Sequence, residues 1–467
     1  MSGIKVMKPH FRLVLLLLSA FCCAIAADAQ DSPKTEFLSF EEARPVLQAM
    51  QDKLPKGLSK SGVVTANDWM RWINSEDADI RARLDRGEED TLINLLRFGV
   101  TYTREYRIDD EYLLHYGQSS LVNAFAQNRA NDLIRAMSAP NASEGLARMR
   151  TFLEKKGYSF KTSEERQKIK AYLLANLARM RDEIVRYTKE VQQGNQFQLF
   201  QDRGISLDTN LWPDFLIHLH LADMLKKRLL RPGSVSRIAI VGPGLDFANK
   251  ENGSDFYPLQ TIQPFAVLDS LRQLGFADSA GVEIYTLDIS PDVNFHIARA
   301  GKAAAAGKPY TVQLPWDIAA RQTPEYRQAF VQYWRKLGAS IGETVPAIAV
   351  PGGAAGTTQT RAVKIRPEFV LRITPLDTNI VFQHLLLAPD QRFDLIIGTN
   401  VFIYFGTLEQ ALARKNMALM LKSGGYILSN DELPGTPGDG LLDSLKTSQI
   451  VARNPDRTEY MFTYERK

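Results

Sequence analysis

The sequence predicts an α/β fold: a mostly parallel sheet covered by helices on both faces, preceded by an all-α N-terminal domain. Three observations predict it. From Asp31 to about Leu230, apolar residues recur at three and four residues, as on one face of a helix. After Arg231-Pro232-Gly233, short apolar runs alternate with helical stretches, the pattern of a parallel sheet buried on both sides. At the end, Thr447–Ala452 and Glu459–Tyr464 flank the turn-rich Arg453-Asn454-Pro455-Asp456-Arg457, which reads as a terminal antiparallel hairpin.

Residues 1–29 read as an export signal. Lys5, Lys8 and Arg12 precede an apolar run, Leu13 to Ala26, with two small-residue cleavage options, Ala24-Ile25-Ala26 and Ala27-Asp28-Ala29. The run is shorter than the ~20 residues of a spanning helix, so no integral span is expected after cleavage. A retained anchor at residues 13–26 is the alternative, and the expected destination is the periplasm or the exterior. Cys22 and Cys23 both lie inside this segment. The mature chain is therefore expected to hold no disulfide, thiolate metal site or cysteine nucleophile. The formal net charge is +4, and Lys5, Lys8 and Arg12 against Asp28 place +2 of it in residues 1–29. The remaining balance gives no reason to expect nucleic acid as a partner.

Residues 30–230 form the helical domain of this reading. Ser163 to Val191 is its clearest helix, with Thr162 and Glu165 as a capping box and Gly194 closing it. Other helical stretches are Phe40–Lys53, Ala66–Leu84, Glu89–Phe98, Ser119–Met137, Ser143–Lys156 and Trp212–Leu229. Residues 231–467 form the α/β domain. Its strands are read at Ile238–Val241, Val282–Leu287, Phe369–Ile373, Phe393–Ile397 and Gly425–Leu428, and its helices at Pro264–Leu274, Pro291–Ala300 and Leu408–Leu421. Some seventy residues, Gly301 to Pro367, interrupt the alternation with a helix at Pro324–Leu337 and a glycine-rich run at Pro351–Gly356. A connection that long is either a lid over a site or a decorative hairpin insertion.

The first strand runs into Gly242-Pro243-Gly244. Glycine there permits backbone dihedrals closed to other residues and close approach of a ligand. In an open α/β sheet, ligands bind beyond the carboxyl ends of the strands. Asp288 follows the second strand, where a carboxylate can accept both ribose hydroxyls of a nucleoside. The alternative is that Asp288 caps the next helix, although Ser290 can do that instead. Asp377, Thr378 and Asn379 follow the third strand, and Thr399, Asn400 and Tyr404 the fourth. Four polar or glycine-bearing tips on one sheet edge point to a ligand crevice. The sequence lacks a complete dinucleotide fingerprint, because Phe247 stands where glycine is needed, and no Walker lysine follows the glycines. His218 and His220 lie two apart on a helix, and His296 and His384 lack partners at ligand spacing.

The blocks VGPGLDF, YTLDISPD, LDTNIV and FDLIIGTNVFIYF followed by LARKNMALMLKSGGYIL resemble a class I S-adenosylmethionine-dependent methyltransferase. The last block is particularly similar to CheR-type chemotaxis receptor glutamate methyltransferases, most specifically at Asn400 to Phe405. The resemblance covers roughly Arg237 to Asp431 and implies a Rossmann-like, seven-stranded sheet that ends in an antiparallel hairpin. It implies S-adenosylmethionine as cofactor, with Gly242, Pro243 and Gly244 beside its methionine moiety and Asp288 with Ile289 at the ribose. Asn379 and Ile380 are implied near adenine, with Asp377 or Thr378 as alternatives, and Asn400 in the cofactor pocket. Tyr404 is implied close to the transferring methyl, as the catalytic position. The implied acceptor is an O or N atom of a small molecule or protein.

Departures from the family pattern are Ile240, where an acidic residue is usual, Asp246, at the usual third glycine, and a long polar loop from Ala248 to Asp255. The family's arginine near the methyl site is not carried over to Arg104, which lies far upstream. S-adenosylmethionine is made in the cytosol, which conflicts with export. The alternative expectation is therefore an exported, non-catalytic binding or scaffold protein on the same fold.

Overall fold

The computed structural model describes residues 33–58, 63–193, 200–201, 203–246, 255–277, 281–318, 322–352, 356–437, 440–454 and 457–467. The export signal, most of the Ala248–Asp255 loop and parts of the Pro351–Gly356 run and the terminal turn lie outside these residues. The helices are α1 (Phe40–Ala49), α2 (Ala66–Phe98), α3 (Asp110–Leu114), α4 (Ser120–Ser138), α5 (Glu144–Lys155), α6 (Ser163–Gln192) and α7 (Leu211–Lys226), then α8 (Gln263–Gln273), α9 (Pro291–Ala305), α10 (Pro324–Lys336), α11 (Pro367–Val370) and α12 (Thr407–Met420). The strands are β1 (Thr35–Phe37), β2 (Arg237–Val241), β3 (Glu283–Asp288), β4 (Tyr310–Asp317), β5 (Gly342–Val345), β6 (Thr358–Ile365), β7 (Ile373–Asp377), β8 (Gln383–Leu385), β9 (Phe393–Gly398), β10 (Leu421–Ser429), β11 (Leu441–Asn454) and β12 (Arg457–Arg466).

The main sheet has the order β11-β12-β10-β9-β2-β3-β7 among the described residues. From β10 to β7 the neighbours are parallel, with Ile238 of β2 opposite Ile284 of β3 and Leu395 of β9. β12 runs antiparallel to both β10 and β11. Alternate residues of one strand face opposite ways, so Ile238 and Ile240 enter one core and Ala239 and Val241 the other. Both faces are covered, which is why β2 reads as an uninterrupted apolar run.

Three expectations are corrected. Phe369–Ile373 is not a strand: Pro367 starts the short helix α11, and the strand is Ile373–Asp377. The strand was obscured by Pro375, which is tolerated because β7 lies at the sheet edge. The N-terminal half is not purely helical, because β1 pairs antiparallel with β8 of the other half. Ala66–Leu84 and Glu89–Phe98 are one helix, α2, with Gly87 inside it.

The helical half divides by packing. α1 and the start of α2 share a core with one face of the main sheet and α12. Leu92, Leu133, Leu173 and their neighbours form a separate helical core. α7 packs with α8 beneath the opposite sheet face. There it meets the Gly301–Pro367 insertion, in which β4, β6 and β5 form a small antiparallel sheet backed by α10. Trp212 of α7 lies 4.2 Å from Phe330 of α10, centroid to centroid, and Trp334 donates its indole N–H to the Leu314 carbonyl at 3.0 Å.

Candidate functional site

The chain leaves β2 toward β3 on one side and returns as β9 on the other, so the switch point of the sheet lies between β2 and β9. A crevice is expected there, beyond the strand carboxyl ends. A cavity of about 370 Å³ opens at that place.

Its floor holds most of the residues expected from sequence. Gly242, Gly244, Asp288, Ile289, Thr378, Asn379, Ile380, Asn400 and Tyr404 all line it. Pro243 and Asp377 do not. Pro243 is buried within the turn, and Asp377 is turned to a 2.8 Å ion pair with Arg81 of α2. Both glycines have the left-handed backbone, with φ of 63° at Gly242 and 68° at Gly244. A Cβ on Gly242 would stand 2.6 Å from Val401, and one on Gly244 would stand 2.6 Å from the Leu207 carbonyl. Glycine is therefore required twice, by dihedral and by space.

Asp288 is 6 % exposed. Its carboxylate accepts the Ser290 backbone N–H at 2.8 Å, while Ser290 itself caps α9. Capping is thus not the work of Asp288. Burial pushes the Asp288 carboxyl up to about 7, with Asp377 adding to the rise and the N–H groups of Ser290 and Gly244 opposing it. A buried carboxyl held near neutrality is poised to ionise fully once hydroxyl donors reach it.

Asn379 and Asn400 are less free than their positions promise. The Asn379 amide donates to Asp77 of α2 at 2.7 Å and its oxygen accepts the Val381 N–H. The Asn400 oxygen accepts the Asn430 amide at 2.7 Å, and the backbone takes a φ of 59°. Left-handed backbone at a non-glycine strand tip is a form of stored strain that concentrates at functional sites. Tyr404 stands in a short turn, half-buried, with its carbonyl accepting Arg83 of α2 at 3.0 Å.

The roof comes from residues that sequence reasoning passed over. Leu84 of α2, Phe200 and the stretch Ile205–Asn210 line the cavity opposite the strand tips. That stretch is tied to the glycine turn by the Leu245 N–H donating to the Leu207 carbonyl at 2.8 Å. It is tied to α2 through Gly87 and Gly204, which meet backbone to backbone: a Cβ on Gly87 would lie 1.9 Å from the Ile205 carbonyl oxygen. A glycine inside a helix costs stability unless packing needs it, and Gly87 was the available signal. Gln263 at the start of α8 lines the same cavity, its amide donating to Thr399 at 2.9 Å.

No residue of the Gly301–Pro367 insertion lines this cavity among the described residues. His218 bonds Ser270 and His220 bonds Thr463, both as packed core pairs. Among the described residues no helix is long and apolar enough to cross a membrane.

No protein-family model matches the sequence, and no curated protein matches it. Similar solved structures are methyltransferases. The CcbJ methyltransferase from Streptomyces caelestis is 12% identical, over 47% of this chain and 52% of that one, with a TM-score of 0.22. The N-methyltransferase NodS from Bradyrhizobium japonicum WM9, in complex with S-adenosyl-L-homocysteine, is 13% identical over 57% of this chain and 92% of that one, with a TM-score of 0.25. Magnesium protoporphyrin IX methyltransferase (ChlM) from Synechocystis PCC 6803, with bound SAM, is 11% identical over 54% of this chain and 81% of that one, with a TM-score of 0.24. The chain thus spans about half the length of CcbJ.

Proposed function

We propose that the chain is an S-adenosylmethionine-dependent methyltransferase acting on an oxygen or nitrogen of a small-molecule or protein acceptor. One observation carries the reading: the glycine turn after β2, Asp288 at the end of β3 and Asn400 after β9 line a single cavity at the switch point. Its volume, about 370 Å³, suits a nucleoside-sized ligand. The lining supports the cofactor's charge, since Asp208 and Asp288 line it and no Lys, Arg or His does among the described residues. The parallel sheet finished by an antiparallel hairpin is also the layout that the sequence resemblance implies.

When bound, the cofactor supplies a methyl group already activated by its sulfonium. The chain's residues then bind and orient. Asp288 accepts the ribose hydroxyls, and the glycine turn lets the backbone come close to the ligand. The wall formed by Thr378 and Ile380 covers the base. Tyr404 meets the acceptor in this reading, and Leu84 and Phe200 exclude water from above. Holding acceptor and methyl in line can remove about 7–11 kcal/mol of the barrier without a dedicated base. The N-terminal segment directs export in this reading, which a reporter fused to residues 1–35 tests.

Calorimetry with S-adenosylmethionine and S-adenosylhomocysteine tests the binding step. Micromolar or tighter binding of both is expected, and silence with both ends the reading. Asp288→Ala is expected to weaken binding about ten- to hundredfold, the worth of charge-assisted hydrogen bonds. Unchanged affinity refutes the ribose role.

A further inference from the structure

We infer that Asp208, on the roof segment outside every motif of the resemblance, binds the α-ammonium of the cofactor's amino-acid end, with the amide oxygen of Gln263 as its second acceptor. The inference rests on the reading of the cavity as an S-adenosylmethionine site. The strand order sets the ligand's direction. The tips run β7, β3, β2, β9 across the sheet edge. A ribose held by Asp288 on β3 with its base toward Thr378–Ile380 after β7 must send its 5′ substituent the other way. That way leads over the glycine turn of β2, toward Thr399 after β9.

Asp208 stands on this path. It lines the cavity and forms a bridge pair with Leu245, the residue after the glycine turn. Thr91 donates to its Oδ1 at 3.2 Å, which fixes the carboxylate from behind. Gln263 supplies an independent observation. It is 2 % exposed and lines the same cavity, and its amide nitrogen is committed to Thr399. Its Oε1 is buried with no hydrogen-bond partner. A buried amide oxygen left without a donor costs stability. A primary ammonium has three N–H donors and no acceptor, so it matches one carboxylate and one amide oxygen.

The test compares two ligands that share adenosine but differ in the amino-acid end. S-adenosylhomocysteine carries the ammonium, whereas 5′-deoxy-5′-methylthioadenosine lacks it. On the full mature chain, Asp208→Asn is expected to weaken S-adenosylhomocysteine roughly ten- to hundredfold and methylthioadenosine less than about twofold. Asparagine keeps the shape and an acceptor for Thr91. Gln263→Leu is a second variant with the same expected selectivity and a smaller loss. Equal weakening of both ligands by Asp208→Asn makes the residue a packing element and overturns the inference. So does unchanged affinity for both. Binding of neither ligand to the unaltered chain removes the nucleoside reading, and this inference with it. Thermal unfolding of each free variant identifies misfolding; should Asp208→Asn misfold, Gln263→Leu alone decides by the same selectivity.

Discussion

The floor of the cavity and its roof are built on different principles. The floor is a row of strand tips, where short apolar runs end in glycine or a small polar residue. The roof is a helix, α2, and a linking segment, Gly204–Asn210, drawn from the other half of the chain. Each floor residue is placed by a hydrogen-bonded sheet register, as Val241 opposite Leu287 and Gly398 shows. Roof residues are placed by side-chain locks, one close backbone approach and two isolated backbone hydrogen bonds, Leu245 N–H to the Leu207 carbonyl and Ile205 N–H to the Arg83 carbonyl. Arg83 reaches the carbonyls of Phe200, Arg203 and Tyr404, and Arg81 joins Asp77, Asp377 and the Ile289 carbonyl. The comparison teaches that this site is completed by tertiary contacts alone along its upper side. The long insertion, for which length alone left a lid and a decorative insertion as alternatives, buttresses α7 on the sheet face away from α1 and α12.

The harshest way to break the roof is at its glycines. Alanine for glycine inside a helix ordinarily gains about 0.5–1 kcal/mol. A Cβ added at Gly301 of α9 would meet no atom within 4 Å, and Gly301→Ala is expected to follow that rule. Gly87→Ala in α2 places a methyl 1.9 Å from a backbone oxygen, and Gly204→Ala places one 2.2 Å from the Gly87 nitrogen. Each is expected to lose about 1–3 kcal/mol as overpacking and to weaken nucleoside binding by shifting the roof. Urea unfolding midpoints of the three variants check this. A stabilised Gly87→Ala would show that α2 and Gly204 do not touch in solution.

How far the sequence was legible follows the same division. β2, β3, β9 and the terminal hairpin were readable because doubly covered strands are short apolar runs bounded by turn residues. Asp288 was readable because its place is set by strand register. β7 was misplaced because Pro375 breaks the run, and only its edge position, a property of the whole sheet, makes that tolerable. Asp208 and Leu84 were illegible as site residues. Nothing local marks a polar linker or a helix leucine as a cavity wall; their role exists only when Gly87 and Gly204 meet. Asn379 shows the converse, since its position was readable but its engagement by Asp77, 302 residues away, was not.

The next largest effect concerns pH, and it sharpens the contrast because it belongs to the floor. Asp288 and Asp246 are both held up to about 7, chiefly by burial, against an unfolded value of about 3.9. The folded state then binds more protons than the unfolded one between these limits. Stability of the free protein is therefore highest below about pH 4 on this account and falls as pH rises toward 7. Ligand affinity moves the other way, because hydroxyl donors need the carboxylate. Binding of S-adenosylhomocysteine is expected to tighten about tenfold per pH unit up to 7 and then level. Asp288→Asn removes that dependence and leaves the Asp246 contribution to stability in place. A flat profile in the unaltered protein detaches Asp288 from the ligand.

The smallest effect tests whether roof and insertion differ in function at all. Leu84 lines the cavity from α2 and makes no polar bond there, so Leu84→Ala removes only apolar contact and water exclusion. Three lost methylene-sized groups at a half-buried position correspond to about 1–2 kcal/mol, and part of that is shared by the free protein, so affinity is expected to fall several-fold. Glu343 sits on β5 of the insertion, exposed and paired with Lys364. Glu343→Gln is expected to leave affinity within twofold, since surface pairs contribute little and this one faces no part of the cavity. Calorimetry on the two variants at one salt concentration gives the ratio. If Glu343→Gln weakened the ligand as much as Leu84→Ala, the insertion would reach the site after all, and of the two alternatives its length left open the lid would be the right one.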